Sequence, residues 1–331
     1  MTAAYDVAAI GNAIVDVIAP ADDAFLDRQS LAKGSMMLID EARATELYAH
    51  MAPGIETSGG SAGNTVAGVA SLGGKAVYLG KVANDQLGDV FAHDMRAIGV
   101  DFDIAPLVGG AATARSLINV TADGQRTMCT FLGASTQLTA ADVIPSLIES
   151  AQILYLEGYL FDPNEARLAF AKAAALARGS GRLIAITLSD AFVVERHRAA
   201  LLGFIEGQVD IVFGNEVELA ALYQTDNFDA AAQALANITR IAAVTRGEAG
   251  SVVLSGEARH AVGAYPVEKV VDTTGAGDQY AAGFLFGLAR SLPLDVCARL
   301  GSMAASEVIS HYGPRPQTSL RDLAAAAGLV G

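Results

Sequence analysis

A chain of 331 residues with 52% apolar side chains can bury a sizeable core, which argues against disorder. Its formal net charge of −14 argues against a general nucleic-acid or anionic-membrane binder, although a local positive site can still hold a phosphate. Only two cysteines occur, Cys129 and Cys297, in no metal-type spacing, which fits a reducing cytoplasm rather than a disulfide framework or a zinc site.

The opening stretch, MTAAYDVAAIGNAIVDV, lacks the basic region and small-residue cleavage site of a secretory signal. No apolar run reaches bilayer length without a charge or glycine in it, so a soluble, cytoplasmic protein is expected. YDVAAIG (5–11) reads as the first strand. Residues 15–57, with IVDVIAPADDAFLDR and GSMMLID, interrupt with a short helix between charged segments. KAVYLGKV (75–82) reads as a strand, and DQLGDVFAHDMRAIGV (85–100) carries apolar residues at helical spacing. Residues 111–132, AATARSLINVTADGQRTMCTFL, alternate polar and apolar around Asp123-Gly124, a hairpin signal.

QILYLEG (152–158) is a further strand, and PNEARLAFAKAAALARG (163–179) a helix with Pro163 near its start and Gly179 as its stop. RLIAITLS (182–189), VDIVFGN (209–215) and IAAVTRG (241–247) complete the set of near-continuous apolar runs, which suit strands buried on both faces. Strand and helix alternating over this length predict a doubly wound, mostly parallel α/β sheet. The two irregular stretches are expected to pair as a small β-sheet lid. The expected division is therefore a large domain of residues 1–14, 58–110 and 133–331 and a lid of 15–57 and 111–132.

Near the end, VVDTTGAGDQYAAGF (270–284) sets a glycine turn at the start of a small-residue helix. Such a turn exposes backbone N–H groups at a positive helix end, an anion site, and Asp278 stands beside it. Two readings weigh equally on this segment alone. Asp278 is either a general base facing an acceptor hydroxyl, or an N-cap on an ordinary helix. In SGGSAGNTVAGVASLGG (58–74), Gly60 and Ser61 precede Asn64 in a first helical turn; a ligand-approach loop and a tight strand-to-helix turn both fit, the second better.

GNAIVD (11–16) sets Asn12 and Asp16 at the carboxyl edge of the first strand, where a carboxylate can hold a diol or simply cap a loop. In FGNEVEL (213–219), Asn215 and Glu218 lie three apart on one helical face. That pair can hold hydrated Mg²⁺, or it can be a capped helix with solvated acids. TRGEAG (245–250) closes a strand with a turn able to carry a nucleotide, with Thr245 and Gly247 as contacts. No GxxxxGK[ST] loop, nucleophile elbow or histidine-based metal spacing is present.

Together and in this order, these residues resemble the PfkB (ribokinase-like) family of carbohydrate and nucleoside kinases. SGGSAGNTVAGVASLGGKAVYLGKVANDQLG resembles its N-terminal signature and DTTGAGDQYAAGF its C-terminal one, over nearly the whole chain. The resemblance implies a Rossmann-like core with a lid, ATP with Mg²⁺, and phosphorylation of a primary hydroxyl. It makes Asp278 the base, with Gly275, Ala276 and Gly277 as the anion hole. Thr274 falls to the nucleotide, Asn215 and Glu218 to Mg²⁺ through water, and Asp16, Gly60, Ser61 and Asn64 to sugar hydroxyls. Arg126, in DGQR, is matched to the transferring phosphate.

Within the family the chain most resembles the adenosine kinase branch, through GNAIVD, VDIVFGNEVE and TLSDAF (187–192). That likeness sets Phe192 near the ATP base and Met36, Met128, Thr130, Leu132 and Leu160 around the nucleobase. Met36 and Leu160 depart from the branch's glutamine and stacking aromatic, so a ribokinase- or fructokinase-like sugar kinase is the alternative. A catalytically silent nucleoside-binding protein is the reading from a different class. The resemblance also offers K⁺ near Asp272, Thr274 and Gly313, and leaves monomer or homodimer open.

Overall fold

The computed structural model describes residues 3–330. Its strands, in chain order, are β1 (Tyr5–Ile10), β2 (Ile14–Pro20), β3 (Met36–Leu38), β4 (Ile55–Gly59), β5 (Ala76–Leu79), β6 (Val100–Asp101) and β7 (Ala114–Val120). There follow β8 (Arg126–Phe131), β9 (Ala151–Glu157), β10 (Leu183–Thr187), β11 (Ile211–Asn215), β12 (Ile241–Thr245), β13 (Ser251–Ser255) and β14 (Ala258–Val262). They form two sheets, one of nine strands in the order β14-β13-β12-β11-β10-β9-β1-β5-β6, the other of five in the order β3-β8-β7-β2-β4.

The larger sheet is parallel from β12 to β6, with β13 and β14 added antiparallel. Its parallel strands are the apolar runs read from the sequence; β9 (AQILYLE) is buried at every position but Gln152. This is what a sheet covered on both faces requires. The chain runs outward from β1 to β5 and β6, then returns to β9 on the other side of β1. The strand order therefore reverses at β1, and the carboxyl ends beside it are where open α/β sheets bind ligands.

The two irregular stretches do pair as the smaller sheet, with Gly124 (φ +83°) in the turn between β7 and β8. Asp16 departs from the expectation. It lies within β2, opposite Thr57 and Ser116, and not at the edge of the first strand. The cause is alternation: Val15, Val17 and Ala19 are buried on one face, which turns Ile14, Asp16 and Ile18 to the other. The β13–β14 hairpin was not expected, although SVVLSGEARHAV carries a turn glycine, Gly256 (φ +57°), between two β-rich runs. Among the described residues no helix is long and apolar enough to cross a membrane.

The helix Ala276–Ala289 lies against the helix Leu294–Val308, and small residues make the approach close. A Cβ on Gly283 would overlap the Leu300 carbonyl oxygen and come 2.6 Å from the Gly301 nitrogen. Gly283→Ala is therefore expected to destabilise by roughly 1–3 kcal/mol, the usual cost of overpacking, despite alanine's better helix propensity. Gly203→Ala, where a Cβ meets nothing within 4 Å in the helix Ala191–Gln208, should stabilise by about 0.5–1 kcal/mol. Urea denaturation of both variants checks the pair, and equal signs would contradict the packing argument.

Candidate active site

A cleft of about 370 Å³ lies between the carboxyl edge of the larger sheet and the inner face of the smaller one. The smaller sheet contributes Asp16, Ser116, Ile118, Met128 and Thr130. The strand ends and the helices that follow them contribute Gly60, Ser61, Asn64, Thr187, Asn215, Glu218, Thr245 and the loop Thr274–Asp278.

Asp278 sits in the first turn of its helix, but it is not the cap. The cap position is Gly275 (φ +79°), which makes no side-chain capping bond. A side chain there would also collide with Pro314, whose Cβ would lie 2.6 Å from the new one. The carboxylate of Asp278 accepts instead from Ser61 Oγ (2.6 Å) and Asn64 Nδ2 (3.0 Å), across from another helix start. Burial pushes its pKa up to about 6; the two hydrogen bonds oppose that rise and the charge of Asp16 adds to it. Asp16 is likewise raised to about 6 by burial, against the pull of Arg315 and Arg126.

Glu157, at the end of β9, fixes this arrangement. Its buried carboxylate accepts from Asn12 Nδ2 (2.8 Å), Asn12 N (3.3 Å) and Ala62 N (2.9 Å). It thereby ties the loop after β1 to the helix Ser61–Ser71, which carries both partners of Asp278. Asn12 is thus a tether beneath the cleft and not part of its lining. Gly60 (φ +84°) caps the start of that helix, where a Cβ would overlap the Asn12 carbonyl oxygen. Arg315 supports the other side, donating to Ser58 Oγ (2.7 Å) and Asn64 Oδ1 (3.4 Å). Neither Glu157 nor Arg315 was singled out from the sequence. An acid ending the apolar run QILYLEG was a readable signal for Glu157, and Arg315 lies in HYGPRP with no comparable signal.

In the glycine loop the Ala276 N–H donates to the Thr273 carbonyl (3.2 Å), whereas those of Gly277 and Asp278 have no acceptor among the described residues. A Cβ on Gly277 would meet nothing within 4 Å, so this backbone lies open. Free N–H groups at a helix start suit an anion. Arg126 stands nearby on β8 with its side chain 7% exposed, and its Nη1 lies 2.9 Å from Asp272 Oδ2. The angle makes this an ion pair without a hydrogen bond, and Nε is also without an acceptor. Asp272 further accepts from Thr274 N (3.1 Å), Thr274 Oγ1 (2.7 Å) and Gly313 N (3.0 Å). Both of its oxygens are engaged by protein groups, and no K⁺ is assigned there.

Asn215 and Glu218 form a reciprocal cap. Asn215 Oδ1 accepts from the Val217 and Glu218 N–H groups, while Glu218 accepts from Asn215 Nδ2 (2.7 Å) and N (3.1 Å). Glu218 is buried against the cleft, not solvated, and burial pushes its pKa up to about 7. Hard oxygen donors with this engagement fit a hydrated Mg²⁺ held through its waters. Of the expected base contacts, Met128 and Thr130 line the cleft. Met36 is 53% exposed on the edge strand β3, and Leu132 lies just past β8. Leu160 is buried in the main core, and the adjacent Tyr159 faces the cleft in its place. Phe192, 74% exposed, and Gly247 stand on open surface beyond the ends of β10 and β12.

The model of the pfkB family carbohydrate kinases matches residues 6–320. The structure of adenosine kinase from Sinorhizobium meliloti is 53% identical, covering 98% of this chain and 99% of that one, with a TM-score of 0.90. That of a probable sugar kinase protein from Rhizobium etli CFN 42 is 49% identical, covering 99% and 100%, with a TM-score of 0.92. Fructokinase-1 of Oryza sativa subsp. japonica is 31% identical over 238 residues, 70% of this chain and 73% of its own length.

The Glu157 tether has a pH signature. Burial raises its pKa from the ordinary 4.5 to about 7, so the folded state holds its proton longer than the unfolded chain. Its contribution to stability is full below about pH 4.5 and is lost as pH climbs to about 7. Glu157→Gln keeps an acceptor for the Ala62 N–H but sets an amide donor against Asn12 N and Nδ2. The Asn12 side chain can turn its partnerless Oδ1 to that donor, whereas its backbone N–H loses its acceptor. The variant should therefore be less stable than the parent near pH 5 and should close or reverse that gap by pH 8. Urea titrations at the two pH values read this directly, and a constant difference would remove the assignment.

Proposed function

Since the chain belongs to the pfkB family of carbohydrate kinases, we propose that it transfers the γ-phosphoryl group of ATP to the 5′-hydroxyl of adenosine, giving AMP and ADP. The observation that carries the reading is Asp278: a carboxylate that caps nothing, held by Ser61 and Asn64 beside free backbone N–H groups. Likeness to an adenosine kinase over almost all of both chains supports the choice of acceptor. So does the apolar part of the cleft wall, Ile14, Ile118 and Met128, which suits a base better than a free sugar.

Asp278 takes the proton of the acceptor hydroxyl as that oxygen attacks the γ-phosphorus. The bond to the β,γ-bridging oxygen breaks and ADP leaves with the charge. The N–H groups of Gly277 and Asp278, at the positive end of their helix, face the phosphoryl oxygens. Arg126 adds the unmet donors of a buried guanidinium. Asn215 and Glu218 would hold Mg²⁺ through its waters, and the ion when bound neutralises phosphate charge. Asp16 and Asn64 take the sugar hydroxyls, and Thr245, Gly247 and Phe192 form the nucleotide's outer shelf. The smaller sheet acts as the lid that excludes water from the transfer.

Asp278→Asn should lower kcat by roughly 10²-fold or more, as expected for loss of a general base, while calorimetry still shows adenosine binding. A rate near the parent's would reduce Asp278 to a structural residue. Because the base must be ionised, kcat/KM should rise with pH through about 6 and then level. Asp16→Asn removes a charge that raises the Asp278 pKa, so this acid limb should move to lower pH. An ADP-release assay with adenosine, ribose and fructose tests the acceptor. Turnover of either sugar without adenosine would replace the nucleoside reading by a sugar kinase.

A further inference from the structure

The loop after the helix Leu294–Val308 passes the starts of two other helices, and its residues 314 and 315 touch both. The Pro314 carbonyl accepts from Gln279 Nε2 (3.1 Å), and Gln279 follows Asp278. The same Nε2 donates to the Asn64 carbonyl (2.9 Å). Farther along the loop, Glu307 accepts from Gln317 N (3.0 Å) and Thr318 N (2.8 Å). With its backbone held on either side, Arg315 reaches the start of the helix Ser61–Ser71. Its contacts are Nη1 to Ser58 Oγ (2.7 Å), Nη2 to Met95 Sδ (3.7 Å) and Nε to Asn64 Oδ1 (3.4 Å). Asp16 and Asp94 act on it only through space, and it does not line the cleft. A guanidinium so placed can affect the chemistry only through a residue that does line it.

Asn64 is that residue. Its amide lies between Arg315, which can only donate, and the ionised carboxylate of Asp278, which can only accept. One orientation satisfies both neighbours, with Oδ1 to the guanidinium and Nδ2 to the carboxylate. The reverse would set an oxygen against a carboxylate and two donors against each other. Once Asp278 has taken a proton it can donate as well as accept, and it no longer enforces the orientation. The guanidinium alone then keeps Oδ1 turned away from the acid. We infer that Arg315 is a positioning residue for the transfer: by holding Asn64 Oδ1 it keeps the amide a donor to Asp278 throughout the proton transfer, so that the remaining lone pairs of the carboxylate face the acceptor hydroxyl. This role rests on the reading of Asp278 as the base and holds for whichever acceptor the enzyme takes.

The test follows ADP release against pH for the parent, Arg315→Met, Arg315→Lys, Asn64→Ala and the double variant Arg315→Met with Asn64→Ala. The acceptor is whichever of adenosine, ribose and fructose the parent turns over. Arg315→Met should lower kcat about tenfold, the range of one lost hydrogen bond. It should also move the acid limb of kcat/KM to higher pH, because the freed amide can turn and accept from the protonated acid. Losing the arginine charge also raises the pKa of Asp16, and a less charged Asp16 pulls the limb the other way, so an upward shift reports the amide. Tyr155, Glu157, Tyr159 and Glu218, which also feel the charge of Asp278, are left in place by every variant. In the Asn64→Ala background, with no amide to turn, Arg315→Met should change kcat by no more than about twofold and leave the limb in place. Arg315→Lys keeps a donor and the charge and should stand nearer the parent. Where Arg315→Met does not fold, the smaller loss in Arg315→Lys must vanish in the same background. A limb that stays or falls, or an equal loss with and without Asn64, makes Arg315 a strut of the fold and overturns the inference. An Asp278→Asn rate equal to the parent's overturns instead the reading beneath it.

Discussion

The carboxylate of Glu157 is the contact on which the site's geometry depends. It reaches from the end of β9 to both the loop after β1 and the first turn of the helix Ser61–Ser71. Those segments are separated by up to 145 residues of chain, and nothing in their local sequences would hold them in register. Three donors on one sealed carboxylate stabilise the junction only while all three are in place, since each would be costly if left unmet in the interior. The orientation of Ser61 and Asn64, and through them of Asp278, follows from that junction.

Three acids, Asp16, Glu218 and Asp278, line the cleft and a fourth, Glu157, lies beneath it; burial lifts the pKa values of all four into the range of about 6 to about 7. A polyanion entering such a place would be repelled if all four were fully ionised and unopposed. The opposition is local. Arg126 and Arg315 lower the pKa of Asp16, the free N–H groups of the glycine loop present a positive helix end, and Asn215 bonds both oxygens of Glu218. In a chain of strongly negative net charge, these donors and cations stand among the acids where a phosphate would arrive on the proposed reading.

The sequence showed the parallel strands, because strands buried on both faces must read as unbroken apolar runs. It showed the glycine loop with Asp278, because a tight turn into a helix restricts which residues can stand there. The reciprocal cap of Asn215 and Glu218 was readable from spacing, but its burial was not, since burial depends on Tyr159 and neighbouring strand ends closing over it. Leu160 and Tyr159 show the limit most clearly. Which of two adjacent residues faces a cleft is set by the 3₁₀ turn Gly158–Phe161, and no periodicity encodes the phase of a single turn. Glu157 and Arg315 act through partners far away in the chain, so their roles appear only once the sheet is assembled.

The contact between Gly283 and the Leu300 carbonyl has a mechanical meaning. The helix that carries Asp278 in its first turn is locked backbone to backbone against its neighbour, and Gln279, the next residue, is bonded to the Asn64 and Pro314 carbonyls. The carboxylate therefore stands on a helix start fixed by packing and by hydrogen bonds on either side. The smaller sheet, by contrast, meets the segment before the glycine loop at the ion pair of Arg126 with Asp272, which has no well-aligned hydrogen bond to resist sliding. On the proposed kinase reading, the helix of Asp278 is the fixed anvil and the sheet carrying Asp16, Ser116 and Thr130 is the part that would bring the substrate down to it.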